Sequence, residues 1–316
     1  MISALLLTTY AVLAGTLGAS WLREARWPSL APRLAIAAWQ SLALSVLLSL
    51  GASGLALAIS FPHVSADLAT LINLCAENLR HSYASPGGTL TALFGVTLFL
   101  VMVARSAWCA GQACVSDRRQ RAARVAAFDL VGRRDVVPGA LVVEHEAPYA
   151  FCIGGRRHRI VLTSGLLATL GPGELDAVLA HEHAHLRQRH HAALVVCRAL
   201  FGVLTPVFPA FREAMPLVRL YLELCADDGA RRRVGPGPLR DALARLACLP
   251  APAGTLAASS QDVEARLSRL DGRTRRLPLA ASATAGFGIV SAVIVPLALA
   301  AAPAVAIAWE GICQVV

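Results

Sequence analysis

The residues best suited to chemistry in this sequence are His181, Glu182 and His185. If the segment is helical, the two imidazoles lie four residues apart on one face and can meet at a single ion. Zinc accepts neutral imidazole nitrogens, and Glu182 can take a proton from a water that the ion acidifies. The pattern His-Glu-x-x-His therefore predicts a Zn²⁺ site with Glu182 as the catalytic base. The competing interpretation is a solvated helix with a polar stripe formed by His183, His185, His190 and His191.

A catalytic zinc site needs a third protein ligand and one position left open for water. His191 has the spacing of the longer metzincin pattern, but that pattern requires a glycine where this chain has Gln188. Because an unbroken helix carries His191 away from the ligand face, Glu223 is the better candidate. Asp227, four residues later, could accept a hydrogen bond from the free ring nitrogen of a zinc-bound histidine. The alternative for Glu223 and Asp227 is an ordinary solvated acidic face.

Short strands are expected before this motif, in the order that a zinc peptidase uses. Apolar runs and a Gly-Gly turn predict strands at 136–143, Ala150–Ile153 and Arg159–Thr163. An Arg-rich helix is expected at 117–135. Pro172, with acidic residues close behind it, suits a helix N-terminus, and this helix is predicted to run beyond His190.

The composition indicates a membrane protein. Of 316 residues, 56% are apolar and 16% charged, whereas soluble domains carry about 25% charged residues. All 29 basic residues are arginine, which excludes a P-loop nucleotide site, a Schiff base and a Ser-x-x-Lys acyl-enzyme. The stretches long and apolar enough to cross a bilayer are 2–21, 34–61, 89–104 with its flank, and 279–308. We interpret these stretches as membrane spans in preference to the alternative of buried core helices.

The distribution of arginine sets the predicted orientation. Residues 105–276 carry the whole net charge of +9, and the loop 22–33 contains three arginines, so both are placed on the cytoplasmic side of the plasma membrane. The N-terminus, the loop 62–88 and the C-terminus are then outside, where Cys75 and Cys313 either pair or stay free. Arginines beside spans three and four would rest on anionic lipid, which we prefer to direct nucleic acid binding.

The apolar stretch 192–211 is not interpreted as a fifth span. If it crossed, about 30 Å of bilayer would separate His185 from Glu223. The residues 212–223 could return only about 18 Å as helix, so one zinc ion could not hold both ligands. The sequence therefore predicts a helical hairpin near 192–222 that packs on the membrane face or dips into it.

These observations predict a mainly α membrane protein with four transmembrane helices and a cytoplasmic α+β domain between spans three and four. The domain boundaries are 1–104 for three spans with the outer loop 62–88, 105–276 for the zinc peptidase domain, and 277–316 for the fourth span and a short tail. A bound peptide is expected to extend the sheet along 159–163, treated as an edge strand.

The sequence also carries a family resemblance. Ile-Val-Leu-Thr-Ser-Gly-Leu-Leu at 160–167, the helix 174–185, Arg-His-His at 189–191 and Glu-Leu-x-Ala-Asp at 223–227 resemble the membrane metallopeptidases of the BlaR/MecR type. The resemblance is strong over 150–240 and weak over the rest of the chain. More distantly, the chain is similar to the CAAX-prenyl-protease and HtpX group, which shares the two motifs.

The resemblance implies a gluzincin-like fold with His181, His185 and Glu223 on zinc, Glu182 as base and Asp227 behind a ligand. It further implies that the substrate is a cytoplasmic transcriptional repressor, cleaved in an antibiotic or cell-envelope response. One alternative is a membrane-protein quality-control protease of the HtpX kind. Another is a receptor with a structural metal site, closed by His190 or Asp228. A homodimer stays open, as does the oxyanion stabiliser among His183, His190, His191 and several arginines.

Penicillin should not label this protein. The archetypal antibiotic sensors carry a penicillin-binding domain after the fourth span, with an acylated Ser-x-x-Lys serine, whereas this chain has no lysine and only about eight residues after 308. We expect no fluorescent band after incubation of the membrane-embedded protein with a fluorescent penicillin. A labelled band at its mass would contradict this expectation.

Overall fold

A computed structural model describes residues 2–58, 88–248, 260–272 and 277–313. The predictions for the outer loop and Cys75 fall outside these ranges, as does the side chain of Cys313. Four helical stretches are long and apolar enough to cross a membrane: Ile2–Glu24, Pro32–Ala58, Thr89–Val131 and Leu279–Ala302. The four predicted spans thus correspond to four helices of suitable length and composition.

The elements follow one another in a simple order. The first span consists of α1 (Ile2–Leu13), a π-helical turn (Ala14–Gly18) and α2 (Ala19–Glu24), and a 3-10 turn (Trp27–Ser29) leads to α3 (Pro32–Ala58). After α4 (Gly88–Val131) come β1 (Leu141–Val143), β2 (Ala150–Ile153) and β3 (Arg159–Thr163). The remaining helices are α5 (Ser164–Thr169), α6 (Pro172–Arg187), α7 (His190–Leu204), α8 (Ala210–Val234), α9 (Pro236–Ala247), α10 (Ser260–Leu270) and α11 (Leu279–Cys313).

Helix α4 joins two predicted elements into one. The sequence predicts a third span at 89–104 and a separate Arg-rich helix at 117–135, but a single helix covers Gly88–Val131. Its 44 residues rise about 66 Å, roughly twice the thickness of a bilayer core. Its second half leaves the apolar region and packs Val125 and Phe128 against the sheet.

The sheet has three strands in the order β1-β3-β2, with β1 parallel and β2 antiparallel to β3. Side chains of β3 alternate: Ile160 and Leu162 enter the core beside α6, whereas Val161 packs toward α4. The predicted bounds of β2 and β3 are confirmed. The predicted strand 136–143 is too long, because only Leu141–Val143 pair with β3. The treatment of β3 as an edge strand is wrong, since both of its edges are occupied.

Helix α6 begins as predicted and ends earlier. Pro172 occupies the first turn, and the Glu174 carboxylate accepts a 2.8 Å hydrogen bond from the backbone N–H of Gly171. The predicted continuation beyond His190 is wrong: the helix ends at Arg187, and Arg189 adopts a left-handed conformation with φ 52°. A second helix, α7, then begins at His190.

Helices α7 and α8 form the predicted hairpin, and it lies among the apolar helices. Trp39 of α3 is fully buried between Phe201 and Phe211, with ring centroids 6.3 and 6.2 Å away. At the hairpin turn, Phe208 packs so closely on Gly15 that a Cβ there would lie 2.7 Å from the ring. Gly15 lies near the middle of the first span, so the structure favours a hairpin that dips between the spans.

Arg105 of α4 satisfies the backbone where α7 ends. Its Nε donates to the carbonyl of Val203 at 3.0 Å and its Nη2 to that of Gly202 at 2.8 Å. The last carbonyls of a helix have no partner within it, and leaving them unpaired in an apolar environment is costly. The guanidinium therefore allows α7 to end among the apolar helices.

Spans two and three should depend on a contact between two glycines. A Cβ on Gly54 would lie 2.9 Å from the Gly95 carbonyl oxygen, and one on Gly95 would lie 2.6 Å from that of Gly54. Because backbone atoms are in the way, Gly54→Val and Gly95→Val should each cost about 1–3 kcal/mol or more. Thermal unfolding in detergent measures this cost. Gly51→Val on the same helix is the control, since a Cβ at that position would meet no atom within 4 Å; equal melting of all variants would refute the contact.

Candidate metal centre

Helix α6 presents His181 and His185 from one face and Glu182 beside them. His181 and Glu182 are each 8% exposed. Of the four histidines of the alternative polar stripe, His190 is buried and His185 and His191 are partly buried, so these four do not form a solvated stripe. One turn before His181, α6 buries Val178 against the sheet core, together with the partly buried Leu175 and Leu179. The apolar face thus fixes the rotation of α6 and, with it, the direction of both imidazoles.

Helix α8 carries Glu223 and Asp227 and crosses α6 at very close range. The crossing point is Gly229 against Ala184, where a Cβ on the glycine would lie 2.6 Å from the alanine Cβ. The backbones approach closely because one of the two residues has no side chain. This approach brings Glu223 to the two histidines of α6.

Ligand atoms of His181, His185 and Glu223 converge, all within 4.8 Å of one another. The two Nε2 atoms are 3.0 Å apart, and the Glu223 carboxylate lies 3.3 Å from His181 Nε2 and 3.5 Å from His185 Nε2. Ligands at 2.0–2.1 Å from a tetrahedral zinc ion lie about 3.3 Å from one another. The spacing and the donor set therefore fit Zn²⁺ with three protein ligands.

Asp227 and Arg266 lie behind His181. The Asp227 carboxylate is 2% exposed, and its Oδ1 lies 2.9 Å from His181 Nδ1. Arg266 of α10 donates to both oxygens of Asp227, from Nε at 2.8 Å and Nη2 at 2.9 Å. Burial alone would raise the pKa of Asp227, but Arg266 and His181 outweigh it and lower this pKa to about 2. The carboxylate therefore stays ionised and can orient the His181 ring.

The charges around Glu223 and His181 are similarly coupled. Burial would raise the pKa of Glu223, yet the two histidines and Arg266, whose Nη1 is 3.4 Å away, hold this pKa well below its usual range. For His181, burial acts against the charged form, but Asp227 and Glu223 outweigh it and raise the pKa to about 10. Binding of a metal at Nε2 must therefore displace a proton from this ring, as is general for histidine ligands.

Sequence reasoning missed Arg266. It assigned the arginines beside spans three and four to anionic lipid and gave Arg266 no role, because nothing in the pattern distinguishes a buried arginine from an exposed one. Arg266 and Arg269 are three residues apart on α10, the spacing of one helical face. That spacing was the only available signal, and it does not identify a partner.

His190 lies behind the other histidine, with its Nδ1 2.8 Å from His185 Nδ1. Burial, followed by the nearby His185, lowers the pKa of His190 to about 3, so the ring is neutral. The sequence-based argument against His191 assumed an unbroken helix, and the break at Arg189 removes that assumption. His191 nevertheless lies elsewhere, against Gly154.

His183, a candidate oxyanion stabiliser, and Asp228, a candidate closing ligand of a structural metal site, lie away from the three ligand atoms. His183 is exposed, and its Nδ1 lies 2.7 Å from the Leu179 carbonyl oxygen. Asp228 pairs with Arg269 at 2.8 Å. Among the described residues, neither Asp228 nor His190 joins the converging group.

Strand β2 lies beside Glu182. Cys152 of β2 packs against the core cluster that contains Val178 of α6, and burial, followed by the Glu182 carboxylate, raises the pKa of its thiol above the ordinary value. In the part of the chain that the structure describes, the outer edge of β2 pairs with no other strand. The open edge nearest to Glu182 is therefore that of β2, and not that of the predicted strand Arg159–Thr163.

Removing the Arg266 guanidinium should destabilise the protein strongly. Arg266→Met leaves Asp227 buried without the guanidinium that contacts both of its oxygens, and breaking a buried ion pair from one side costs about 3–5 kcal/mol. Thermal unfolding of the metal-free protein in detergent measures the loss. The control is Arg240→Met: Arg240 pairs with Asp241, both about half exposed, so this change should cost at most about 1 kcal/mol. Similar losses in both variants would contradict the assigned role of Arg266.

Comparison with known proteins finds a peptidase signature in the centre of the chain. Residues 113–215 match the family description "Peptidase family M48", a range that includes His181, Glu182 and His185 and ends before Glu223. No solved structure matches the chain.

Three curated relatives are named as HtpX-type proteases. A "Protease HtpX homolog 2" of Methanosarcina mazei is 34% identical over 102 residues, covering 32% of this chain and 31% of the relative. A protein of the same name in Methanosarcina acetivorans is 32% identical over 118 residues, covering 35% and 37%. A "Protease HtpX homolog" of Acidiphilium cryptum is 35% identical over 69 residues, covering 21% and 24%.

The chain thus matches between 24% and 37% of the length of these relatives. The predicted resemblance to the HtpX group is supported in this region, whereas the finer BlaR/MecR assignment stays a prediction. By its central region, which contains the predicted histidine ligands, the chain is similar to the M48 peptidases of the HtpX group.

Proposed function

We propose that this protein is a membrane-embedded zinc metallopeptidase that hydrolyses peptide bonds. The observation that carries the proposal is the convergence of His181, His185 and Glu223 at zinc-compatible spacing, with Glu182 on the same helix as the two histidines. The similarity to M48 peptidases supports it independently. A gluzincin-like fold is part of the proposal, with His181, His185 and Glu223 as the ligands.

The catalytic work of the chain falls mainly to Glu182. A bound zinc ion would supply Lewis acidity, polarising the scissile carbonyl and acidifying a water. The Glu182 carboxylate accepts the proton of the attacking water and then returns it to the amine that leaves. Asp227 orients His181 through Nδ1, and Arg266 keeps Asp227 and Glu223 ionised. Asp227 and Arg266 would therefore fix the orientation and the charge of the proposed ligands before substrate binds.

The open edge of β2 is the proposed binding place for substrate. A peptide in extended conformation can add to a free strand edge through backbone hydrogen bonds. Because β2 packs against α6, which carries Glu182, such a peptide would pass close to the proposed base. Strand addition at β3, which the sequence suggested, is excluded by its two neighbours.

The active site is proposed to lie at the cytoplasmic face of the plasma membrane. Arg33 at the start of α3 donates to Gln188 at 3.0 Å, and Arg269 donates to the backbone carbonyls of Ser29 and Leu30. The loop between the first two spans therefore lies on the same side as the site. The arginines of that loop and of the central region favour the inside for both.

For the substrate, two possibilities remain distinct. The relatives named as HtpX-type proteases favour a membrane-protein quality-control protease with many substrates. The motif resemblance to the BlaR/MecR type favours one transcriptional repressor. Both use the same residues and differ in substrate range, which a comparison of proteomes can measure.

Replacing Glu182 by Gln should abolish cleavage and leave zinc bound. The amide keeps the size of the side chain but cannot accept the proton, so activity should fall at least about 100-fold. Zinc content of the purified protein and the proteomes of cells with each form provide the measurement. Many stabilised membrane proteins would support quality control, and one intact repressor would support signalling.

The metal ligands provide the matched comparison. His185→Ala and Glu223→Ala should lose both zinc and cleavage, because each removes a ligand atom. Normal cleavage by the Glu182→Gln variant would refute the proposed base, and an unchanged proteome would favour a receptor with a structural metal site.

A further inference from the structure

The turn between α6 and α7 contains a residue with an uncommon backbone conformation, which ligation of zinc by His185 does not by itself require. Arg189 is the one non-glycine residue with positive φ in the described part of the chain. Such a conformation is uncommon for a side chain of this size and persists where the surroundings enforce it. It interrupts what would otherwise be a continuous helix from Pro172 into α7.

The interruption delivers His190 to His185. In an unbroken helix, residues five apart differ by about 500° of rotation, so their side chains point about 140° apart. The break instead brings the two Nδ1 atoms to 2.8 Å, and His190 is 5% exposed. The contact therefore depends on the left-handed turn and not on helical spacing.

The tautomers in this contact follow from the ligand geometry. His185 directs Nε2 toward His181 and Glu223, so a metal would bind at Nε2, and the proton of the neutral ring would then be on Nδ1. In this tautomer the N–H donates to Nδ1 of His190, which accepts with its lone pair. His181 is held by a carboxylate and His185 by a neutral imidazole, so the two ligands have different partners behind them.

Gln188 holds the turn from both sides. Its Nε2 donates to the Cys225 carbonyl oxygen of α8 at 3.1 Å, and its Oε1 accepts from Arg33 Nη2 at 3.0 Å. A Cβ on Gly229 would lie 3.1 Å from the Gln188 amide nitrogen, so the amide is also closely packed. Where the metzincin pattern requires glycine, this chain thus has a glutamine whose side chain hydrogen bonds to α8 and to the second span.

We propose that His190 is a positioning residue for His185, fixing its tautomer and ring orientation, and that the Gln188–Arg189 turn delivers it. The proposal rests on the proposed function, because it assigns His185 as a zinc ligand. Partners behind a metal-bound histidine contribute about 10- to 100-fold to metal affinity. Through the hydrogen bond from Arg33 to Gln188, the turn that carries His190 is also connected to the start of the second span, α3.

The test is zinc affinity of the purified full-length protein in nanodiscs, measured after metal removal by competition with a chromophoric chelator. His190→Phe keeps a ring but removes the acceptor, and we expect affinity about 10- to 100-fold weaker. His190→Asp restores an acceptor and should bind zinc close to wild type. His191→Phe is the matched control, and its affinity should equal that of wild type.

A second readout separates positioning from general damage. Substitution by Co²⁺ gives a visible spectrum sensitive to ligand geometry, which should change in His190→Phe and return in His190→Asp. Gln188→Ala should weaken zinc binding in the same direction, and adding it to His190→Phe should cost little more, because both act through one contact.

The outcomes are distinct. Wild-type affinity in His190→Phe, or equal loss in the Asp and Phe variants, overturns the role of His190. Unchanged affinity in Gln188→Ala overturns the role of the turn, and this variant decides the matter if the Phe variant does not fold. Failure of the wild-type protein to bind zinc would instead overturn the proposed function.

Discussion

Burial of the Asp227 carboxylate is the constraint on which the arrangement of helices around the site depends. An ionised carboxylate in the interior costs several kcal/mol unless it is paired and hydrogen bonded. Here the partners come from two other helices, His181 from α6 and Arg266 from α10. Helices α6, α8 and α10 must therefore keep fixed relative positions for Asp227 to remain charged. The same positions bring Glu223 to the two histidines.

That constraint also joins the site to the membrane region. Arg269 lies about one turn after Arg266 on α10, pairs with Asp228, and donates to the backbone carbonyls of Ser29 and Leu30. One short helix thus pairs with three carboxylates of α8, those of Glu223, Asp227 and Asp228, and binds the loop between spans one and two. A rearrangement of those spans that moved α10 would disturb Asp227 first, and through it His181. The hairpin of α7 and α8 adds a second link: α7 begins at His190, α8 carries Glu223, and the hairpin packs on Trp39 between these two residues.

The sequence predicts those parts of the structure that follow from local periodicity. Strands β2 and β3, the start of α6 at Pro172 and the apolar helices all follow from patterns within a few residues of each other. The shared faces of His181 with His185 and of Glu223 with Asp227 follow from helical spacing, and the hairpin follows from the distance between these two pairs. Each of these predictions uses only chain geometry.

The errors arise where tertiary contacts decide. The end of α6 depends on the left-handed Arg189, which Gln188 holds through contacts with α8 and α3, and no local signal marks it. The central position of β3 depends on where three-residue β1 pairs, and so short a strand has no periodicity of its own. Arg266 is separated from Asp227 by 39 residues, so its pairing is visible only in three dimensions.

The absence of lysine, which excluded several chemistries, agrees with how the basic side chains are used. Arg105 binds two successive carbonyls, Arg266 binds both oxygens of Asp227, and Arg159 does the same for Asp129. Each contact uses two N–H groups held in one plane at fixed spacing. A lysine would supply the charge as a single point and could not reproduce the fork. At these sites arginine is therefore required by hydrogen-bond geometry, whether the partner is the end of a helix among the apolar spans or the carboxylate that supports the proposed metal centre.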